Sequence, residues 1–380
     1  MTVQSHPADT VGAPAGVPSR VAGVPGRRFA RIGDVLLESG EVLPEVTLAY
    51  ESWGSLNTAG DNAVLVLHAL TGDSHVVGPA GPEFPTPGWW DGLIGPQAPL
   101  DDRELFVLAI NVLGGCRGST GPSSPAPDGQ PYGSRFPALT TRDQVRAEEQ
   151  LARQLGVRTF TAVIGGSMGG MRALEWGAMH PGMVRSVVAI ATTGAASADQ
   201  IAWAAPQLAA IRLDPDFQGG DYYGGRPPLA GMAVARQIAH TTYRSGHELA
   251  VRFGRSLQPG AGTPARPQFA VESYLEHHGN KLGRRFDPNS YLVLTEAMNS
   301  HDLGRDRGGL PAALAAFEPE LTVAVVDSDR LYLPAEGALL TQAPTARPLI
   351  TMHSEFGHDG FLIEADQVAA VVRGALAGGR

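Results

Sequence analysis

Runs of apolar residues along the chain predict strands that alternate with helices. Several runs are continuous, which is typical of strands covered on both faces. They span residues 62–70, 105–112, 160–164, 184–191, 321–326 and 348–352. An amphipathic segment at residues 141–155, capped by Thr140 or Thr141, predicts a helix. Because strands and helices alternate up to residue 191, we expect an α/β fold with a mostly parallel, doubly wound sheet.

The remaining patterns divide the chain further. Alternating residues at 29–50, around Gly40, predict an antiparallel hairpin at a sheet edge. Residues 195–300 contain helical stretches broken by Gly/Pro-rich runs, which favours a helical lid inserted into a core at 28–194 and 301–380. The first 27 residues are rich in Pro, Gly, Ala and Ser and predict a disordered or extended tail that is not a secretory signal.

The segment around Ser167 carries the clearest chemical motif. Residues 165–169 read G-x-S-x-G, between an apolar strand and a helix-favouring segment. This context is that of a nucleophile elbow, in which a strained turn exposes a catalytic serine at a helix N-terminus. The backbone N–H groups of Met168 and of Leu70, after an earlier strand, then become candidate oxyanion-hole donors. The alternative is an ordinary strand–helix loop in which Ser167 only caps the helix.

A histidine and an acid follow late strands. His358 lies in a glycine-flanked loop after the run at 348–352, with His353 as the second choice. Asp327 and Asp329 both follow the run at 321–326, and Asp329 is favoured because it lies farther beyond the strand end. The order serine, aspartate, histidine is that of the catalytic triads of α/β hydrolases.

Other candidates have simpler interpretations. His68 lies inside a predicted strand and before the serine, which favours a structural or loop-orienting role over a catalytic one. The Gly-rich loop at residues 114–122 lacks the ending of a phosphate-binding P-loop, and no elbow surrounds its Cys116. We expect His277, His278 and His301 to lie on the lid surface.

Composition restricts the classes of function. The chain has 380 residues, a net charge of −9 and no cluster of basic residues, which argues against nucleic-acid binding. No apolar run reaches the length of a membrane span. A single cysteine excludes an internal disulfide framework and favours the cytoplasm. No spacing of ligands suggests a metal site, and no bound cofactor is expected.

Several segments together resemble the homoserine O-acetyltransferase family, whose members have the α/β-hydrolase fold. They include LAYESWGSLN, HALTGDSH, NVLGGCRGSTGPSS, GGSMGGMRALEW, DSDRLYLP, GHDGFL and a long stretch of the lid from Glu272 to Leu303. The resemblance implies transfer of an acetyl group from acetyl-CoA to the hydroxyl of L-homoserine in methionine biosynthesis. The route is ping-pong, through acetyl-Ser167. It also implies a homodimer formed through the lid helices.

The resemblance also assigns residues. It makes Asp329 the triad acid and His358 the base, and it matches Arg236 to the ligand of the substrate carboxylate and Asp359 to that of the ammonium. Tyr243 and Thr71 are expected to add hydrogen bonds. One anion and one guanidinium fork suit a zwitterionic amino acid.

Other functions stay open at this point. Relatives of the family use succinyl-CoA as donor or serine as acceptor. A serine esterase would use the same triad with water as acceptor. A non-catalytic binding protein on the same scaffold is expected to have lost a triad residue, and all three candidates are present.

Overall fold

The computed structural model describes residues 26–263 and 265–378. The expected tail at residues 1–27 lies outside the described residues except for Gly26 and Arg27. Arg27 forms an ion pair with Asp73 (Nη2–Oδ2, 3.2 Å), so the chain is anchored to the fold at that residue.

Ten strands occur in the described residues. They are β1 (Arg28–Leu36), β2 (Val42–Trp53), β3 (Ala63–Leu67), β4 (Phe106–Ile110), β5 (Phe160–Gly166), β6 (Ser186–Ile190), β7 (Leu257–Thr263), β8 (Arg266–Phe269), β9 (Glu320–Val326) and β10 (Ile350–Met352). Eight of them form one sheet in the order β1-β2-β4-β3-β5-β6-β9-β10. The pairs β1/β2 and β2/β4 are antiparallel and the other neighbours are parallel, which confirms the mostly parallel sheet with a hairpin at its edge.

Eleven α-helices occur in the same residues. They are α1 (Thr141–Gln154), α2 (Met168–Met179), α3 (Ala198–Arg212), α4 (Leu229–Tyr243), α5 (Gly246–Phe253), α6 (Ala270–Gly283), α7 (Pro288–Asn299), α8 (Leu310–Ala315), α9 (Pro334–Leu339), α10 (Gly360–Ile363) and α11 (Ala365–Gly378). Thr140 caps α1 through a reciprocal capping box with Asp143.

The sheet is buried on both faces, as its continuous apolar strands predicted. Successive side chains of a strand point to opposite faces. On β3, Leu65 and Leu67 therefore belong to the core beneath α1 and α2, whereas Val64 and Val66 belong to the core beneath α11. The carboxyl ends of the parallel strands meet at one edge, where the conserved topology of such sheets places ligand sites.

Residues 198–299, the helical insertion, cover that edge and contain no strand of the main sheet. Their own apolar core joins α3, α4, α6 and α7 to the loop that carries Leu70 and to Met168, the first residue of α2. The insertion also contains the hairpin β7–β8, which the sequence pattern did not predict. Its strands are mostly exposed and contain Gly and Pro, so they lack the apolar alternation by which strands are recognised.

No helix among the described residues is long and apolar enough to cross a membrane.

Candidate active site

Ser167 occupies a sharp turn between β5 and α2. Its backbone has φ 56° and ψ −123°, a strained conformation for a residue with a side chain. The turn requires a close approach at Gly165, where an added Cβ would lie 2.1 Å from the carbonyl oxygen of Gly169. The N–H of Ser167 donates to the carbonyl of Ile190 at the end of β6 (3.0 Å). The strand, turn and helix predicted for the elbow are therefore present.

Three side chains meet at this turn. The Oγ of Ser167 lies 2.9 Å from Nε2 of His358, and Nδ1 of His358 lies 2.6 Å from Oδ2 of Asp329. The other carboxylate oxygen of Asp329 accepts the N–H groups of Leu331 and Tyr332 at 2.8 and 2.9 Å. Those two bonds fix the carboxylate, which in turn orients the imidazole toward the serine.

Aromatic rings enclose the imidazole of His358. The ring of Tyr332 stacks on it at 4.9 Å between centroids, and Phe361 and Tyr243 lie at 5.2 and 5.9 Å. Ser167, His358 and Asp329 are all buried, with at most 5% of each residue exposed. Charges and dipoles in such a poorly solvated site interact more strongly than they would in water.

The two expected oxyanion donors, Leu70 and Met168, belong to one apolar cluster, and Met168 directly follows Ser167. Met168 is the first residue of α2, so its N–H has no acceptor within the helix and carries the positive end of the helix dipole. Leu70 lies in the loop after β3, and both residues belong to the apolar core that underlies the insertion. The N–H of Met168 thus lies next to the nucleophile, and that of Leu70 stays a predicted donor.

The second-choice residues lie elsewhere. Asp327 pairs with His353 at the surface (Oδ2–Nδ1, 2.9 Å), and neither approaches Ser167. His68 is buried, and its Nε2 accepts the N–H of Val112 (3.1 Å). Burial raises the pKa of the Cys116 thiol to about 11, which keeps it protonated.

The expectation of surface positions for three histidines is wrong for His301. That residue is buried against Thr141 (Nδ1–Oγ1, 3.2 Å) and the carbonyl of Thr193. His278 is half-buried and stacks on His240 with ring centroids 4.1 Å apart, whereas His277 is exposed. The polar loop around His301 gave no sign of its burial, because that burial depends on contacts distant in sequence.

A cavity of about 320 Å³ has Asp359, the residue after His358, in its wall, whereas Ser167, His358 and Asp329 do not line it. Its wall includes three of the four residues expected to bind the substrate, Arg236, Asp359 and Thr71. Tyr243, the fourth, lies on the wall of a smaller neighbouring cavity of about 40 Å³, which it shares with Leu70 and Tyr332. The structure therefore brings the expected acceptor ligands to one region, although Tyr243 faces a separate space.

Arg236 has the features of an unfilled anion ligand. Its guanidinium stacks over the ring of Tyr243 at 5.0 Å. Its Nε and Nη1 are buried and have no hydrogen-bond partner among the described residues. Because unpaired buried donors are costly, a bound carboxylate that accepted both would satisfy them.

Asp359 provides the opposite charge on the same wall. Burial raises the pKa of its carboxyl group, against the lowering effect of Arg236, His358 and Arg244. Arg244 is the nearest cation, with Nη1 3.5 Å from Oδ2 of Asp359. A cationic ligand at this position would stabilise the ionised carboxylate further.

Sequence patterns do not single out two other basic residues of the wall, Lys281 and Arg285. Nη1 of Arg285 donates to the carbonyl of Thr71 (2.9 Å), and its own carbonyl accepts a bond from Arg117. Burial and the nearby charges of Arg236 and Arg117 lower the pKa of Arg285 to about 10. In a sequence, a basic residue in a helix or in the turn after it is indistinguishable from an ordinary surface cation.

No group of three or more His, Cys, Asp or Glu side chains suited to a metal ion exists within residues 26–263 and 265–378.

Comparison with known proteins agrees with this geometry. A family model described as the alpha/beta hydrolase fold matches residues 62–334. A homoserine O-acetyltransferase from Thermobifida fusca is 57% identical over 355 residues, which cover 92% of this chain and 94% of that protein. The crystal structure of homoserine O-acetyltransferase from Bacillus anthracis is 25% identical, with a TM-score of 0.85, and covers 92% of this chain and 97% of its own. The crystal structure of esterase E22 is 26% identical, with a TM-score of 0.84 and coverage of 92% and 99%. The chain thus belongs to the homoserine O-acetyltransferase family, within the α/β-hydrolase fold.

Proposed function

We propose that this protein transfers the acetyl group of acetyl-CoA to the hydroxyl of L-homoserine through an acetyl-Ser167 intermediate. The observation that carries the proposal is the pairing of the Ser167–His358–Asp329 array with a cavity that offers both Arg236 and Asp359. The names of relatives such as the Thermobifida fusca protein support the same reaction. As a route to O-acetylhomoserine, the reaction belongs to methionine biosynthesis.

The first half-reaction acetylates the enzyme. The Oγ of Ser167 attacks the thioester carbonyl while Nε2 of His358 takes its proton, and Asp329 stabilises the imidazolium. The N–H groups of Leu70 and Met168 stabilise the negative oxygen of the tetrahedral intermediate. When the C–S bond breaks, His358 returns the proton to the sulfur and the CoA thiol leaves.

The second half-reaction repeats these steps with the acceptor. The homoserine hydroxyl gives its proton to His358 and attacks the acetyl carbonyl of Ser167. Collapse of the second tetrahedral intermediate breaks the ester bond to Ser167, and the proton on His358 returns to Oγ. The enzyme is then free to accept another acetyl group.

The acceptor is held by opposite charges at its two ends. Nε and Nη1 of Arg236 donate to its carboxylate, and the carboxylate of Asp359 binds its ammonium. The hydroxyls of Tyr243 and Thr71 add hydrogen bonds. Burial raises the pKa of Tyr243, so its hydroxyl is protonated and can donate.

The donor is drawn to the cavity by local positive charge. Although the chain has a net charge of −9, the cavity wall carries Arg236, Lys281 and Arg285 against the carboxylates of Asp73 and Asp359. A concave site with an excess of one charge attracts ligands of the other sign, and CoA is an anion. The same cations would suit the extra carboxylate of a succinyl donor, so the two donors require direct comparison.

A serine esterase is the second candidate, because esterase E22 has the same fold with a TM-score of 0.84. Water would then resolve the acetyl-enzyme. The burial of Ser167 beneath the helical insertion favours a bound acceptor over bulk water.

Quaternary structure and location belong to the same proposal. Several apolar side chains of the insertion are exposed, among them Leu213 (81%), Val251 (70%) and Leu257 (53%). Exposed apolar groups are suited to a contact between subunits, and the family resemblance favours a homodimer formed through the insertion. Acetyl-CoA-dependent biosynthesis and a single cysteine favour the cytoplasm.

The proposal is tested by the acetyl-enzyme itself. After brief mixing with acetyl-CoA, intact-mass spectrometry should detect one added acetyl group, located on the peptide that contains Ser167. Addition of homoserine should remove it and yield O-acetylhomoserine. Ser167→Ala should keep its fold by circular dichroism and gain no acetyl group. Acetylation of the Ala variant, or an acetyl group that homoserine does not remove, would contradict the proposal.

A further inference from the structure

We propose that His68 is a positioning residue of the oxyanion hole: its Nδ1–H holds the carbonyl of Ala69 and thereby aims the N–H of Leu70 at the acyl oxygen. This inference rests on the proposed function, since it assumes that Leu70 is an oxyanion donor. His68 acts only through the backbone of Ala69 and Leu70, without contact to the substrate.

The hydrogen bonds of His68 define its tautomer. The backbone N–H of Val112 can only donate, so Nε2 of His68, 3.1 Å away, must accept. The remaining ring proton is therefore on Nδ1, which lies 2.8 Å from the carbonyl oxygen of Ala69. Burial and the charge of Arg172 lower the pKa of His68 to about 3, so the ring stays neutral with this single N–H.

The bond to Ala69 acts directly on the proposed oxyanion donor. The carbonyl of Ala69 and the N–H of Leu70 belong to one planar trans peptide group, in which they point in opposite directions. The same carbonyl also accepts the N–H of Gly72 (2.9 Å). Two donors thus fix the carbonyl on one side of the peptide plane, and the direction of the Leu70 N–H follows.

A buried ion pair between Arg172 and Glu148 fixes the backbone of His68. Nη2 of Arg172 donates to the carbonyl of His68 (2.6 Å), and Nη1 binds Glu148, which also accepts the indole N–H of Trp176 (2.8 Å). Arg172 and Glu148 are both fully buried. Arg172 lies on α2, whose first residue is Met168. One helix therefore carries one proposed oxyanion donor and, through Arg172, holds the backbone just before the other, Leu70.

The approach of α2 to this loop is close. An added Cβ at Gly169 would lie 2.1 Å from the carbonyl oxygen of Leu67 and 3.1 Å from that of His68. The backbone before the oxyanion loop therefore packs directly on the first turn of the helix. This contact restricts the backbone up to His68, so the peptide groups after His68 are the ones that can still rotate. The His68 ring binds the first of these.

Two substitutions separate positioning from simple packing. In His68→Asn the side-chain amide nitrogen can take the place of Nδ1 and keep a donor for Ala69. In His68→Gln the longer side chain places its oxygen toward the position of Nε2 and keeps an acceptor for Val112 instead. Both variants leave a smaller, less well packed group, so both should lose thermal stability to a similar degree.

The measurement is the single-turnover rate of Ser167 acetylation, with acetyl-CoA and with p-nitrophenyl acetate, alongside the melting temperature. Loss of one oxyanion donor costs about 100- to 1000-fold in kcat, so we expect a misaimed donor in His68→Gln to cost about 10- to 100-fold. The KM for acetyl-CoA should change less than about twofold, since the effect is specific to the transition state. His68→Asn should recover most of the rate.

His301→Asn is the matched control. His301 is as buried as His68 and also makes two hydrogen bonds, to Thr141 and Thr193, but it has no contact with the oxyanion loop. It should lose stability and keep the acetylation rate.

Equal rates for His68→Asn and His68→Gln, or rate losses that follow the melting temperature in all three variants, would overturn the inference. Failure of the wild-type protein to react with acetyl-CoA would instead refute the proposed function. In that case the reaction with p-nitrophenyl acetate still ranks the two His68 variants, and a higher rate for His68→Asn supports the inference while the reverse order overturns it.

Discussion

Asp327 and His353 form an exposed pair, 2.9 Å between Oδ2 and Nδ1, beside the buried pair of Asp329 and His358 at 2.6 Å. The two pairs arise from the same two loops, after β9 and after β10. Only the buried pair reaches Ser167, because Asp329 and His358 lie farther along their loops, toward the turn that follows β5.

The two pairs provide a matched test of the triad acid. Asp329→Asn should lower kcat about 10⁴-fold while the fold persists, because the amide stabilises the wrong imidazole tautomer. Asp327→Asn removes a carboxylate from an exposed ion pair and should change kcat less than about twofold. Steady-state rates of homoserine acetylation check both. Similar losses in the two variants, or a larger loss at Asp327, would place the acid elsewhere.

Arg236 is expected to act chiefly on the acceptor. Removal of a hydrogen bond to a charged group costs about 1.5–3 kcal/mol, so Arg236→Ala should lower kcat/KM for homoserine about 10- to 150-fold. The rate of enzyme acetylation by acetyl-CoA should stay within about threefold. Arg226→Ala serves as the control, because the side chain of Arg226 is 86% exposed. An equal loss in the acetylation step would show that Arg236 is not a dedicated acceptor ligand.

We expect the ionised carboxylate of Asp359 to destabilise the folded protein and to bind the substrate ammonium. Its pKa in the folded protein is raised by burial, so the folded state binds the proton more tightly than the unfolded state does. The contribution of this group to stability is therefore lost as the pH rises through the folded pKa.

Asp359→Asn should consequently melt at or above the wild-type temperature at pH 7, while its KM for homoserine rises about 10-fold or more. The difference in melting temperature should shrink near pH 4, where an ordinary carboxyl group titrates. Thermal melts at the two pH values and initial rates check this. A lower melting temperature at pH 7 together with an unchanged KM would contradict both assignments.

The exposed apolar side chains of the insertion predict its oligomeric state. Leu213→Asp and Val251→Asp together should convert a dimer to a monomer in sedimentation experiments, because charges would be placed in an apolar contact. Leu36→Asp is the control, since Leu36 is 60% exposed on β1, outside the insertion. A wild-type monomer, or a dimer that persists in the double variant, would contradict a contact through the insertion.

The parts of this molecule that sequence could predict are those encoded by local pattern. Continuous apolar runs locate β3, β4, β5 and β6 to within a few residues, because burial on both faces requires such runs. The elbow at Ser167 is recognisable because its turn requires glycines at fixed positions. The favoured choice of Asp329 over Asp327 needed only the point at which β9 ends.

The features that sequence did not provide depend on contacts between distant segments. The hairpin β7–β8 has no apolar face, and the burial of His301 results from its contacts with Thr141 and Thr193. Lys281 and Arg285 become part of a cavity wall only when the insertion lies over the sheet. Family resemblance suggested Arg236 and Asp359, but the unpaired buried nitrogens of Arg236 emerge only in three dimensions.

Consumption of acyl-CoA by the purified protein tests the proposed acetyl transfer most directly. Acetyl-CoA and succinyl-CoA would each be offered with L-homoserine, with L-serine and without an acceptor, and release of the CoA thiol would be followed. We predict sustained release only when acetyl-CoA and homoserine are present together. Acetyl-CoA without an acceptor should give a single burst of release as the enzyme is acetylated. A preference for succinyl-CoA or serine would leave the mechanism unchanged and change the substrates. Steady release of CoA at the same rate with and without an acceptor would mean that water hydrolyses the acetyl-enzyme, which would contradict a transferase.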